Sequence, residues 1–209
     1  MSATVQSMKL YHYAKSRSTR VLWLLAELGV DFEAEMLPFD PRAFALADHF
    51  DLDTYGALPI LVDDASSMSE SIAIMHYVLD RYSQGRLQPP RDSHDYGKFL
   101  EWIQFGETTL MGPLTQMLQH SVLLPAAERL PAIAAQGKRA FTYFARSIDS
   151  ALAGQDYLLG DEFSAADIVI GYALYLADDC GALPRELKSL CAYYERLSAR
   201  PAFKIATSD

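Results

Sequence analysis

Three places in the sequence combine residue types that could do chemistry. The first is Lys15-Ser16-Arg17-Ser18-Thr19-Arg20, where hydroxyls alternate with cations ahead of an apolar run. A hydroxyl beside cations can hold an anion or steady a developing negative charge. Lys15, Arg17 and Arg20 form a basic island in an acidic stretch, since residues 1–83 carry 12 acids and 6 bases. The plainer reading is a solvated charge run, with Ser16 a turn serine and Ser18 the helix cap. The second place is Ser69-Glu70-Ser71 before an apolar-periodic stretch. Backbone N–H groups at a helix N-terminus favour an anion, and Ser71 could add its hydroxyl. The plainer reading has Ser69 as the cap and Glu70 suiting the helix dipole. The third is Leu58-Pro59, a proline at the head of an apolar run. Prolines in strands sit at edges or strand starts.

Other chemistries find little support. The five histidines, His12, His49, His76, His94 and His120, make no i, i+4 pair, so a metal site is not expected. Cys180 and Cys191 are the only cysteines, form no CxxC pair and cannot build a disulfide framework. The chain carries 27 acids against 18 Lys and Arg, net −9, which argues against general nucleic-acid binding. No apolar run reaches the ~18 residues of a membrane helix. Met1–Ser7 has neither a basic start nor an apolar core, so no signal peptide is expected and the cytoplasm is the expected location.

The elements that must position these residues divide into two kinds. Tyr11, Tyr13 and their neighbours Leu10 and His12 suit a strand. Val21, Leu22, Leu24, Leu25 and Leu28 share one helical face, and Gly29 is placed to end that helix. Phe32–Met36 alternates as a half-buried strand, Pro38 and Pro41 interrupt, and a helical turn through Arg42–His49 follows. Leu58–Val62 reads as a buried strand, Asp63-Asp64 as a turn and Ser67-Met68 as a short strand. A helix capped by Ser69 then runs from Glu70 to about Tyr82. Residues 84–91 have a linker's Pro, Gly and polar composition. Beyond them the hydrophobic period is helical throughout. Phe99–Met117 marks a long helix bent near Gly112-Pro113, and Ile133–Leu152 marks another. Ser164-Ala165-Ala166-Asp167 opens a third with a capping box, and Leu187–Leu197 forms the last.

A small α/β domain, a linker and a helical domain, with these motifs in this order, resemble the cytosolic glutathione S-transferase family. Gly56–Leu61 with Ser69–Ile74 is similar to its glutathione-binding motif. Ser16–Leu25 resembles the first-helix start of the bacterial and fungal serine-type branch, and Phe99–Leu114 also looks like bacterial members. Ser164–Ile168 is similar to the folding signature of the helical domain. The resemblance implies a thioredoxin-like glutathione-binding domain over 1–83, a linker over 84–91 and an all-helical domain over 92–209. It implies glutathione as co-substrate, no metal, a small electrophilic and hydrophobic second substrate, and a homodimer.

The resemblance also implies roles. Ser16, four residues before Arg20, would donate a hydrogen bond to the glutathione sulfur. Tyr11, Tyr13 and Ser18 are the rivals, because other branches use a tyrosine at this strand end. Pro59 would be cis, and the Leu58 backbone would pair with the cysteinyl backbone as an added strand. Ser71 would hold the γ-glutamyl carboxylate and Glu70 the γ-glutamyl ammonium. Trp102, Phe105, Met111 and Met117 are candidates to line the second-substrate pocket, or are plain core. One departure is Ala57 where the family often has a cation for the glycyl carboxylate; Arg42 or His49 could replace it. Two further readings are a glutathione-dependent isomerase, peroxidase or reductase, and a non-catalytic adaptor of the same fold. With no cysteine near Ser16, a cysteine-type thioltransferase is disfavoured.

Overall fold

The computed structural model describes residues 8–40, 45–46, 57–64 and 66–208. In chain order these form β1 (Met8–His12), α1 (Ser18–Leu28), β2 (Phe32–Met36), β3 (Phe39–Asp40), β4 (Ala45–Leu46), β5 (Ile60–Asp63), β6 (Ser66–Met68) and α2 (Ser71–Tyr82). There follow α3 (Asp95–Gln104), α4 (Met111–Leu118), α5 (Pro131–Ala151), α6 (Ala165–Asp179), α7 (Lys188–Ser198) and α8 (Pro201–Thr207). Two compact units result. One runs to Gln84 and takes in Pro201–Asp209, and the other spans Gly85–Arg200.

The first unit is built on a four-stranded sheet in the order β2-β1-β5-β6. β1 and β2 run parallel, which requires a crossover, and α1 supplies it. β5 pairs antiparallel with β1 on one side and with β6 on the other, with Leu10 opposite Leu61. The apolar run of α1 explains its burial: Val21, Trp23, Leu24 and Leu25 are wholly buried. Gly29 ends the helix at φ 64°, a left-handed turn that costs glycine little. Ala45–Leu46 is a strand paired with Phe39–Asp40, so the helical turn expected through Arg42–His49 does not hold there. The rest of that stretch lies outside the described residues.

The helical domain was expected to extend to residue 209. Instead α8 packs on α1 within the first unit, where Phe203 meets Trp23 edge-on at 4.9 Å. Pro201 opens α8 at a position where a missing N–H costs nothing.

The second unit is helical. Between α3 and α4 the chain continues through a π-helical turn at Phe105–Leu110. This π-helical turn is the helical irregularity just before the place where the sequence suggested a bend, Gly112-Pro113. Pro113 has no N–H to offer the turn before it, and a widened turn accommodates that loss. The π-turn also carries Gly106, where an added Cβ would stand 2.6 Å from Val169 Cγ1 of α6. α5 crosses α4 equally closely at Gly137, where a Cβ would stand 2.6 Å from the Pro113 carbonyl oxygen. Trp102, Met111 and Met117 are buried in this unit's core, while Phe105 is half-buried between Trp102 and Phe144.

α6 opens with the expected capping box. Asp167 accepts the Ser164 N–H at 2.8 Å and the Ser164 hydroxyl at 2.9 Å on one oxygen. Its other oxygen accepts the Leu158 N–H at 3.0 Å and the Tyr193 hydroxyl at 2.8 Å. Among the described residues no helix is long and apolar enough to cross a membrane. Among them, too, no group of three or more His, Cys, Asp or Glu could hold a metal ion.

Candidate active site

The site is assembled from two chain breaks in the first unit, the β1–α1 loop and the start of α2. Residues Tyr13 to Ser18 close on themselves through hydroxyls. The Ser18 hydroxyl donates to the Tyr13 carbonyl at 3.0 Å, and its oxygen accepts the Tyr13 N–H at 3.1 Å. Ser16 Oγ accepts the Ser18 N–H at 3.2 Å and lies 2.7 Å from Ser18 Oγ. The Ser16 N–H adds a bond to the Tyr13 carbonyl at 3.1 Å. Ser18 was expected to cap α1. It is instead the first helical residue, wholly buried, and the hydroxyl that receives the helix amide is that of Ser16. The cause is the tight turn at Lys15, whose φ of 61° folds Ser16 back over the helix start.

The second break lies before α2. Ser69 was expected to cap this helix, and it does not. Glu70 is the boundary residue, at φ 67° and ψ 98°, and among the described residues no side chain caps the helix. Among the described residues, buried Ser69 Oγ has no hydrogen-bond partner. A non-glycine residue in this region stores roughly 1–3 kcal/mol of backbone strain. The turn at Glu70 therefore leaves the first-turn amides of α2 uncapped, beside the Ser71 hydroxyl. Such amides, with the helix dipole behind them, form an anion site.

Arg20 ties the two breaks together. It is wholly buried rather than part of an exposed basic run, and it donates to Ser71 Oγ through Nε at 3.1 Å and Nη2 at 2.5 Å. Both bonds place donors on the serine oxygen. The Ser71 proton is therefore left to donate elsewhere, and a guanidinium charge stands behind it. The basic-island reading missed this role. The available signal was that Arg20 lies one helical turn before buried Leu24.

Leu58 and Pro59 immediately precede β5, and their peptide bond is cis, as expected. Leu58 and Tyr11 pack together against the buried pair Leu37 and Ile60. The Tyr11 ring is thus held in an apolar contact, with Lys9 Nζ 5.1 Å from its centroid. The structure therefore joins Ser16 with Ser18 and Tyr13, and Ser71 with Arg20. Gly56, Arg42 and His49 lie outside the described residues.

The chain's likeness to known proteins is consistent along its length. The family model of the glutathione S-transferase N-terminal domain matches residues 6–80, and that of the C-terminal domain matches residues 130–199. Glutathione S-transferase GstB of Escherichia coli K12 is 31% identical over 193 residues, covering 88% of this chain and 89% of that protein. Glutathione S-transferase 3 of Schizosaccharomyces pombe is 28% identical over 208 residues, covering 94% and 85%. Among solved structures, the theta class glutathione S-transferase of Xanthomonas axonopodis pv. citri, with glutathione bound, superposes with a TM-score of 0.83. It is 25% identical, covering 98% of this chain and 99% of that one. The expected fold, a thioredoxin-like α/β domain and an all-helical domain, is the one these structures share. With both domain models matched in order and full-length relatives at this identity, the chain belongs to the glutathione S-transferase family.

Proposed function

We propose that the protein is a glutathione transferase of the serine type, in which Ser16 supports the thiolate for attack on a small hydrophobic electrophile. Ser71 and the uncapped amides of α2 hold the γ-glutamyl carboxylate. Glu70, at the same helix start, meets the γ-glutamyl ammonium. The Leu58 backbone, next to Pro59, pairs with the cysteinyl backbone like one more strand. The observation that carries this reading is the Ser71 hydroxyl, whose oxygen accepts two N–H groups of buried Arg20 and whose proton is thereby left to donate. That is the electronic state in which a serine serves a carboxylate best.

Ser16 supplies what the chemistry needs. The thiolate is the nucleophile, and an ordinary thiol has a pKa of ~8.5. A hydroxyl donated to sulfur stabilises the anion, and α1 begins two residues later with its positive dipole end toward the loop. A bond of this kind contributes ~1.5–3 kcal/mol, or roughly one to two pKa units.

The protein works as a homodimer in the cytoplasm in this reading, C2 pairing being the commonest closed assembly. Sedimentation at micromolar concentration tests the dimer. Thiolate absorbance of the glutathione complex, titrated for wild type, Ser16→Ala, Tyr11→Phe and Tyr13→Phe, tests the site. A raised midpoint in Ser16→Ala alone is expected. A shift confined to a tyrosine variant moves the role to that tyrosine. Failure of the wild type to bind immobilised glutathione would favour the adaptor reading.

A further inference from the structure

We propose that Ser18 is a positioning residue that passes its hydroxyl proton between the Tyr13 carbonyl and Ser16, and so orients the Ser16 hydroxyl toward a bound thiolate. The inference rests on the reading of Ser16 given above. It follows from counting protons. Ser18 has one, and in one arrangement it lies on the Tyr13 carbonyl at 3.0 Å. The 2.7 Å contact between the two serine oxygens must then be made with the Ser16 proton. In this arrangement the Ser16 hydroxyl faces Ser18 and has nothing to give a thiolate.

A second arrangement uses the same atoms. Ser18 turns its proton to Ser16 Oγ, and Ser16 turns its own outward to the sulfur. The Tyr13 carbonyl gives up the Ser18 hydroxyl but is not stranded, because it keeps the Ser16 N–H at 3.1 Å, and Ser18 Oγ keeps the Tyr13 N–H at 3.1 Å. Only two hydroxyl rotations separate the states, and no heavy atom has to move. Donation from Ser18 also polarises the Ser16 O–H, since hydrogen bonds in a chain strengthen one another. Ser18 is wholly buried, so water cannot substitute for it. A plain helix-start serine would need only one of these bonds; Ser18 makes three.

A double-mutant cycle on the intact protein tests this. The readout is the thiolate absorbance of the glutathione complex against pH, for wild type, Ser16→Ala, Ser18→Ala and the double variant, together with glutathione Kd. Ser18→Ala should raise the midpoint by about half a unit, with Kd changing less than threefold. In the Ser16→Ala background the same substitution should add nothing, because the effect travels through Ser16. Equal shifts in both backgrounds, or no shift in Ser18→Ala while Ser16→Ala shifts, would overturn the proposal and leave the Ser16 reading standing. No shift in Ser16→Ala would overturn the Ser16 reading itself. If Ser18→Ala does not fold, Ser18→Thr and Ser18→Cys take its place. The threonine variant should titrate as wild type and the cysteine variant should shift, while matching midpoints would count against the relay.

Discussion

Arg20 and Ser71 stand 51 positions apart in the chain, yet two N–H groups of the arginine converge on the one serine oxygen. The contact joins the start of α1 to the start of α2. It places a buried positive charge directly behind the hydroxyl proposed to meet a carboxylate. A guanidinium suits this task because its donors are fixed in a plane, and a lysine would offer a mobile point charge.

Replacing Arg20 should therefore weaken glutathione binding without removing any group that touches the ligand. Hydrogen bonds to a charged partner contribute ~1.5–3 kcal/mol, so Arg20→Met is expected to raise glutathione Kd roughly 10- to 100-fold. Arg20→Lys should recover part of the loss. Calorimetric titration of the three proteins checks this, and an unchanged Kd in Arg20→Met would detach Arg20 from the ligand site.

Ser71→Ala removes the donor itself and keeps the helix. Its Kd should rise about tenfold or more. Because the α2 amides remain, binding should be weakened rather than abolished. A titration in which Ser71→Ala matches wild type would assign the carboxylate elsewhere.

What could be read from sequence was what local pattern controls. Leu10 and its neighbours, the strand at Phe32–Met36 and the stop at Gly29 each follow from side-chain period or backbone freedom within a few residues. β2 does not, however, bury the expected alternate face, since Ala34 and Met36 are exposed. The capping box at Ser164 and Asp167 is equally local. The misplaced features depend on distant partners or on backbone turns that composition does not encode. Ser69 has the right residue type for a cap, but the turn at Glu70 removes it from the helix. Arg20 looks solvated by charge and is buried because Ser71 waits for it. α8 is only 7 residues long, too short for periodicity to register, and Trp23 is what holds it.

Gly137 sits where α5 meets α4, and its missing side chain sets that distance. A Cβ there would stand 2.6 Å from a backbone oxygen and 2.9 Å from the Met117 nitrogen, neither of which can swing aside. Gly137→Ala gains ~1 kcal/mol of helix propensity and should still destabilise the protein by about 1–3 kcal/mol net. Glutathione affinity should hold, because the residues proposed to bind it lie in the other unit. A denaturant midpoint at or above wild type would show that the two helices separate at little cost.

Asp167 carries a prediction in which pH decides the sign. It is buried, and it satisfies two backbone N–H groups and two hydroxyls at once. In Asp167→Ala the hydroxyls can turn away, but the Leu158 and Ser164 amides cannot. Each stranded amide costs about 1–3 kcal/mol, so a total near 3–5 kcal/mol is expected. For a chain of this size that lowers Tm by roughly 10 °C. Asp167→Asn should cost less, since one acceptor oxygen survives, though its NH2 then faces another donor. The titration separates carboxylate from amide. Burial pushes the Asp167 carboxyl above its ordinary value of 3.8, and the bonds from Leu158, Ser164 and Tyr193 oppose the rise. The native state thus binds its proton at a higher pH than the unfolded chain does. Stability from this group accordingly grows as pH falls through the raised pKa, and the gain is complete below about 3.8. Asn at the same position does not titrate. The stability gap between wild type and Asp167→Asn, measured by urea unfolding from pH 7 down to pH 4, should therefore widen toward acid. A gap that narrows instead would mean that the four donors outweigh burial and hold the carboxyl below its ordinary range.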